Sequence, residues 1–184
     1  VYGPPKSSGT RDSFEELVLQ STFEKMSVYT DLFKKDEKEN KKYKAYSEVR
    51  TDGAYVESGE NDNLIVQKLT KNEAAIGVFG YSFLAENKDK VSGLAIDNVL
   101  PTVETIASGK YPVARSMYFY IKNQHLKEVP SLKDYSNLFM SEKMIGKDGI
   151  LSELGLIPLT DDVRTQARNK VLNNQKLTAE DLKH

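Results

Sequence analysis

Ser7, Ser8, Thr10 and Arg11 stand almost side by side near the start of the chain, with Gly9 among them and Asp12 directly after. Hydroxyl donors, a glycine and a guanidinium at this spacing suit the binding of an oxyanion. The apolar positions Phe14, Leu17 and Val18 follow at i, i+3 and i+4, which predicts a helix entered through this turn. Such a helix aims its unpaired first-turn amides back along its axis, where the dipole also favours negative charge. A ligand can approach the Gly9 backbone without meeting a Cβ. The same residues also describe an ordinary N-cap, in which a Ser or Thr oxygen satisfies an orphan amide. Arg11 has an alternative partner in Glu15, four positions on. On the turn alone both readings stand.

The elements around the turn come from the rest of the pattern. Residues 1–4 read as a short strand and about 12–24 as the first helix, with Val28, Leu32 and Phe33 in a further helical turn or two. Lys34 to Lys44 is a mixed-charge run, expected as an exposed helix end and loop. A strand is expected near Ala45–Val49, and Gly53 and Gly59 bracket a loop. Asn61 or Asp62 then caps a helix carrying Leu64, Ile65 and Leu69. The apolar run Ala74–Phe79 reads as a buried strand and Gly80–Leu84 as a helical turn. Val91–Ile96 is expected as a strand, and Pro101 as the first residue of a short helix closed by Gly109. Tyr111–Lys122, rich in β-formers, is the longest expected strand. Beyond it lie a helix opened by Pro130-Ser131, with Ser131 and Asp134 as a capping pair, a helix at Ile150–Leu154 and a polar helix over Asp161–Leu172. The last dozen or so residues are hydrophilic and expected to fray. Strands alternating with helices through the first two-thirds imply an α/β fold with a doubly wound, mostly parallel sheet, followed by a helical third.

Composition narrows the function. The 184 residues carry 26 Lys+Arg against 27 Asp+Glu, for a formal net charge of −1. That balance argues against a nucleic-acid partner, which would need a basic face to neutralise phosphates. Cysteine is absent, and the two histidines, His125 and His184, are too few to build a histidine metal site, so neither metal nor cofactor is expected. An apolar stretch of spanning length is absent, and the first residues lack the basic start and apolar core of a signal peptide. Opening on Val1 and running straight into a strand-to-helix turn, the chain is expected to be a processed product or fragment with something N-terminal to it. An enzyme reading finds little: Ser8 lacks the Gly-x-Ser-x-Gly elbow, and His125 has no obvious acidic orienter.

Five stretches together resemble a known family. They are Gly3–Phe14 (Gly-Pro-Pro-Lys-Ser-Ser-Gly-Thr-Arg-Asp-Ser-Phe), Gly59–Val66, Ile76–Phe83, Gly109–Arg115 and Gly155–Leu159. In this order they resemble the substrate-binding proteins of phosphate ABC transporters, the PstS family, with the type II periplasmic-binding-protein fold. Similarity is greatest to the branch in which Pro4-Pro5 replaces an Arg placed just before Ser-Gly-Thr in other members.

The resemblance implies two α/β lobes around a cleft that closes by a hinge. Residues 1–118 would be the second lobe, carrying the anion-binding helix N-terminus. Residues 119–184 would hold the return crossing and the C-terminal helices that pack on the first lobe, most of which lies outside this sequence. Ser8, Gly9, Thr10 and Arg11 carry over as phosphate ligands. Ser7 and Asp12 are neighbours of the site, Asp12 orienting Arg11 or capping the helix. Asn61 and Asn63, with Asp62, either face the cleft or form a structural cap, the second reading being preferred. Arg115 is read as a hinge ion pair rather than a ligand contact, and Tyr118 and Tyr120 as sheet residues. The expected function is binding of inorganic phosphate in the periplasm and delivery to the membrane permease of an ABC importer, without enzymatic activity. The alternative is a phosphate- or oxyanion-sensing module on the same fold.

Overall fold

Tyr2 lies at the centre of the small sheet that organises the N-terminal half. The computed structural model describes residues 1–33 and 45–182. Strand β1 (Tyr2–Gly3) pairs in parallel with β2 (Val56–Glu57), Tyr2 opposite Val56 and Gly3 opposite Glu57. On its other side Tyr2 forms a parallel bridge with Gly77. Tyr2 N donates to Ile76 O at 2.8 Å, and Val78 N to Tyr2 O at 2.9 Å, while Ser58 N donates to Gly3 O at 2.9 Å. The first strand in sequence is thus flanked by the second on one side and the third on the other, the order of a doubly wound sheet. A Cβ on Gly3 would stand 2.2 Å from Tyr55 Oη, so any larger residue would have to displace the Tyr55 ring.

Helix α1 (Gly9–Phe14) follows β1 and passes without a break into a wider π-helical stretch, Glu15–Gln20, and a last α-turn, α2 (Ser21–Phe23). Ser21 Oγ donates back to Leu17 O at 2.7 Å, a side-chain bond that competes with the backbone ladder. A second π-helical turn spans Tyr29–Phe33. Helix α3 (Asp62–Leu69) follows β2 and buries Ile65 and Val66. It lies across the third strand position, since a Cβ on Gly77 would meet Leu69 Cδ1 at 2.6 Å and Ile65 Cγ2 at 3.1 Å. Helix α4 (Tyr81–Glu86) comes next.

The chain divides into two compact units: Val1–Pro101 with Tyr111–Arg115, and Thr102–Lys110 with Ser116–His184. The second contains α5 (Val103–Ala107), opened by a reciprocal Thr102–Thr105 capping box, then α6 (Ser131–Phe139), α7 (Glu142–Ile145), α8 (Ile150–Glu153) and α9 (Asp161–Leu172). Phe119 packs edge-on against Phe139, ring centroids 4.8 Å apart, and Met140 is buried. Arg164 draws these helices together. Its Nε donates to both Glu142 carboxylate oxygens, at 3.1 and 3.0 Å, its Nη1 to Leu159 O at 3.0 Å and its Nη2 to Asp161 Oδ1 at 2.9 Å. The bond from Arg164 holds the Asp161 carboxyl below its ordinary range.

The mostly parallel α/β lobe is present, but several expected elements differ. Ala45–Ser47 is a 3-10 turn rather than a strand, and β2 forms instead inside the segment read as a loop. The expected strand Val91–Ile96 is reduced to a bridge between Ile96 and Val99, turned by Asp97 and Asn98 at φ 49° and 63°. Both residue types tolerate that left-handed turn. Pro101 precedes the Thr102 cap rather than opening α5. Tyr111–Lys122 forms no strand among the described residues, and Met117 and Tyr120 are exposed, so Tyr118 and Tyr120 are not sheet residues here. β-Propensity reflects a fit to neighbouring strands, and with no strand beside them these residues join no ladder. Ser131 lies within α6, whose Pro130 cap makes no side-chain bond. The C-terminal stretch is tied by Asp181, which accepts from Thr178 N and Oγ1 at 2.9 and 2.6 Å and from Lys170 Nζ at 3.1 Å. Lys34 to Lys44 and His184 lie outside the described residues.

Candidate anion-binding site

Three strand-to-helix turns leave the C-terminal edge of the sheet: Pro4–Ser8 after β1, Ser58–Asn61 after β2, and Phe79–Gly80 after the Gly77 bridge. In parallel sheets of this order that edge is where ligands bind. Side chains join the turns. Ser7 Oγ donates to Glu60 Oε1 at 2.6 Å, and Gly80 N donates to Asp62 Oδ2 at 3.0 Å.

The first turn is built as its residue types imply. Ser8 has extended backbone (φ −85°, ψ 134°), and its Oγ accepts from Thr10 N at 3.2 Å. Its carbonyl accepts from Arg11 N at 3.0 Å and Asp12 N at 3.2 Å. Among the described residues neither the Ser8 nor the Thr10 hydroxyl donates a hydrogen bond, so both keep a proton to offer a ligand. Gly9 and Ser7 are exposed, and Ser8 and Thr10 are half-buried. Both readings of this turn, cap and donor site, describe the same Ser8: its oxygen caps the helix while its hydrogen remains.

Arg11, expected as a ligand, lies beneath the turn. Its side chain is 2% exposed and turned into the lobe. Nε donates to Glu15 Oε1 at 2.7 Å, Nη2 donates to Ser47 O at 3.3 Å, and Nη1 lies 3.8 Å from Glu57 Oε1. The guanidinium also sits 4.8 Å over the Tyr55 ring, a cation–π contact. Nη1 is buried without a hydrogen-bond partner. Tyr55 Oη donates to Pro4 O at 2.8 Å, and burial pushes its phenol above the ordinary range, with Arg11 pulling the other way. Arg11 and Tyr55 therefore make a floor beneath the turn. Glu15 and Glu57, not Asp12, orient the guanidinium, and Asp12 is exposed in the first helical turn.

The second turn takes the structural reading for Asn61. Its Oδ1 accepts from Asn63 N at 3.0 Å as the cap of α3, while the Asn63 side chain is exposed. Asp62 is 7% exposed, its carboxylate spent on the Gly80 amide. Two further participants join the first turn, Glu60, which was not singled out from the sequence, and Arg115, which was read there as a hinge residue. Glu60 holds Ser7, and Arg115 reaches the first turn from 106 positions away, its Nη2 donating to Gly9 O at 3.4 Å. The expected hinge ion pair of Arg115 is not formed among the described residues. They also contain no cluster of acidic or histidine side chains placed to hold a metal ion.

A family model for a PBP superfamily domain matches residues 1–143. Protein SphX of Synechococcus elongatus is 29% identical over 181 residues, covering 95% of this chain and 44% of that protein. The phosphate-binding protein PstS of Staphylococcus saprophyticus is 29% identical over 151 residues, covering 72% of this chain and 46% of the relative. PstS of Staphylococcus epidermidis is 34% identical over 92 residues, 47% of this chain and 28% of the relative. The chain thus spans less than half the length of these relatives. No solved structure matches it.

Proposed function

The chain belongs to the PBP superfamily, and from that premise we propose that it binds inorganic phosphate as part of the extracytoplasmic substrate-binding component of an ABC phosphate importer. The observation that carries the reading is the Ser8-Gly9-Thr10 turn, half-buried at its two hydroxyl residues and open at Gly9. It leaves the C-terminal edge of a parallel sheet with two hydroxyl protons available, in a chain whose relatives include proteins named as phosphate-binding. A buried oxyanion needs many aligned donors, because an unpaired charge taken out of water costs several kcal/mol or more, on the order of the penalty for any buried ion. Ser8 and Thr10 hydroxyls and the Gly9 backbone supply part of that shell. Arg11 supports the turn from beneath, and Ser7 with Glu60 fixes its approach.

The remaining donors belong to a first lobe that would close over the turn, with the helices after residue 118 packing on it. Extracytoplasmic placement and delivery to a membrane permease follow from the same family reading. Binding rather than catalysis is supported by the relatives' names.

Titration calorimetry with phosphate and with sulfate tests the proposal, on this chain and on a form extended at its N-terminus to the length of its relatives. The extended form is expected to bind phosphate at micromolar concentration and this chain far more weakly. An extended form that binds neither anion would end the phosphate reading.

A further inference from the structure

An anion held at Ser8-Gly9-Thr10 needs a cation close by, and the sequence offers Arg11 as the obvious one. Its geometry says otherwise. Glu15, Glu57, Ser47 O and the Tyr55 ring surround the Arg11 guanidinium, and its side chain is 2% exposed. Turning it outward would strip two carboxylates of their shared partner. Lys6 is exposed on the lead, and among the described residues no bond holds it to the turn.

Arg115 is placed differently. Its Nη2 lies 3.4 Å from Gly9 O and 3.9 Å from where a Cβ on Gly9 would stand. At 3.4 Å that bond is at the long limit of a hydrogen bond, and Gly9 O already accepts from Ser13 Oγ at 2.9 Å. The contact is therefore readily exchanged for a stronger one to an anion. Among the described residues Arg115 meets no carboxylate within ion-pair distance, and its side chain is exposed. The chain path carries a second, independent observation. Residues on both sides, Thr102–Lys110 and Ser116 onward, belong to the second compact unit, while Tyr111–Arg115 returns to the first. Tyr111 Oη anchors that excursion by donating to Leu94 O at 3.3 Å, and Arg115 is its last residue.

We propose that Arg115, rather than Arg11, is the guanidinium that holds the oxyanion at the Ser8-Gly9-Thr10 turn, its planar fork taking two anion oxygens. The inference rests on the phosphate reading above. Arg115 forms the near wall of the turn, and Arg11 is a positioning residue that keeps the floor in shape.

The test is phosphate calorimetry on the N-terminally extended form, with Arg115→Ala, Arg115→Gln and Arg115→Lys beside the unaltered protein, and thermal melting of each. Loss of the charge-assisted bonds is expected to weaken phosphate binding about 10- to 100-fold in Arg115→Ala and Arg115→Gln. Arg115→Lys should recover part of the affinity, and all three should melt with the unaltered protein. If Arg115→Ala lowers the melting temperature, the Gln and Lys variants decide, since they keep the side-chain stem. Unaltered protein that binds phosphate while all three variants bind within about twofold of it would overturn the role of Arg115 and leave the phosphate reading intact. Unaltered protein that does not bind phosphate would overturn both.

Discussion

Arg11 and Arg164 are the most buried arginines among the described residues, at 2% and 8% exposure, and each is gripped by two carboxylates. Their surroundings differ in one respect. Every nitrogen of Arg164 has an acceptor, drawn from Glu142, Asp161 and Leu159 O, all within the helical unit it ties together. Arg11 keeps Nη1 without a hydrogen bond, and its partners come from α1, the Ala45–Ser47 turn and the β2 edge. Arg164 closes on itself, whereas Arg11 braces one turn against distant segments. A buried guanidinium beneath a donor loop therefore need not be the loop's ligand. It can instead fix the shape on which the ligand depends.

Substitution at the two sites separates these roles. Arg11→Ala should give the largest loss, about 3 kcal/mol, because Glu15 is left largely buried without its cation. Urea unfolding measures it, and a loss below about 1 kcal/mol would mean that the floor is dispensable. Arg164→Ala should cost less, about 1–2 kcal/mol, since Glu142 and Asp161 are more than half exposed and regain water when released. A cost equal to that of Arg11→Ala would erase the contrast.

Acidification should have the smallest effect. The folded-state Asp161 carboxyl is held below its ordinary value by the bond from Arg164, so its contribution is present above that ordinary value and lost as pH falls through the lowered one. Thermal melts of the unaltered protein and Asp161→Asn should differ near neutrality and converge only once the pH has fallen through the lowered Asp161 value. A gap that persists at the acid end would show that packing, not charge, sets the contribution of Asp161.

Local chemistry was legible in the sequence. The Ser8 and Asn61 caps, the Gly80 turn and the span Asp161–Leu172 follow from short-range rules about orphan amides and periodicity. Pairing was not. The stretch Tyr111–Lys122 has the composition of a strand but pairs with no other strand among the described residues, whereas Val56–Glu57 is paired and is too short to announce itself. The site divides along the same line. Which hydroxyls line the turn could be read directly, because cap and donor lie within one helical turn. The burial of Arg11 could not, because Tyr55 and Glu57 reach it through the fold. Nor could the approach of Arg115 to Gly9, which depends on the return of Tyr111–Arg115 to the first unit.

The most direct measurement is a phosphate titration of the isotope-labelled, N-terminally extended protein, followed through its backbone amide resonances. Saturable shifts concentrated on Ser8, Gly9, Thr10 and Arg11, with sulfate run in parallel, are the expected result. Saturable shifts centred elsewhere, with these four amides unmoved, would contradict the placement of the anion at the first turn.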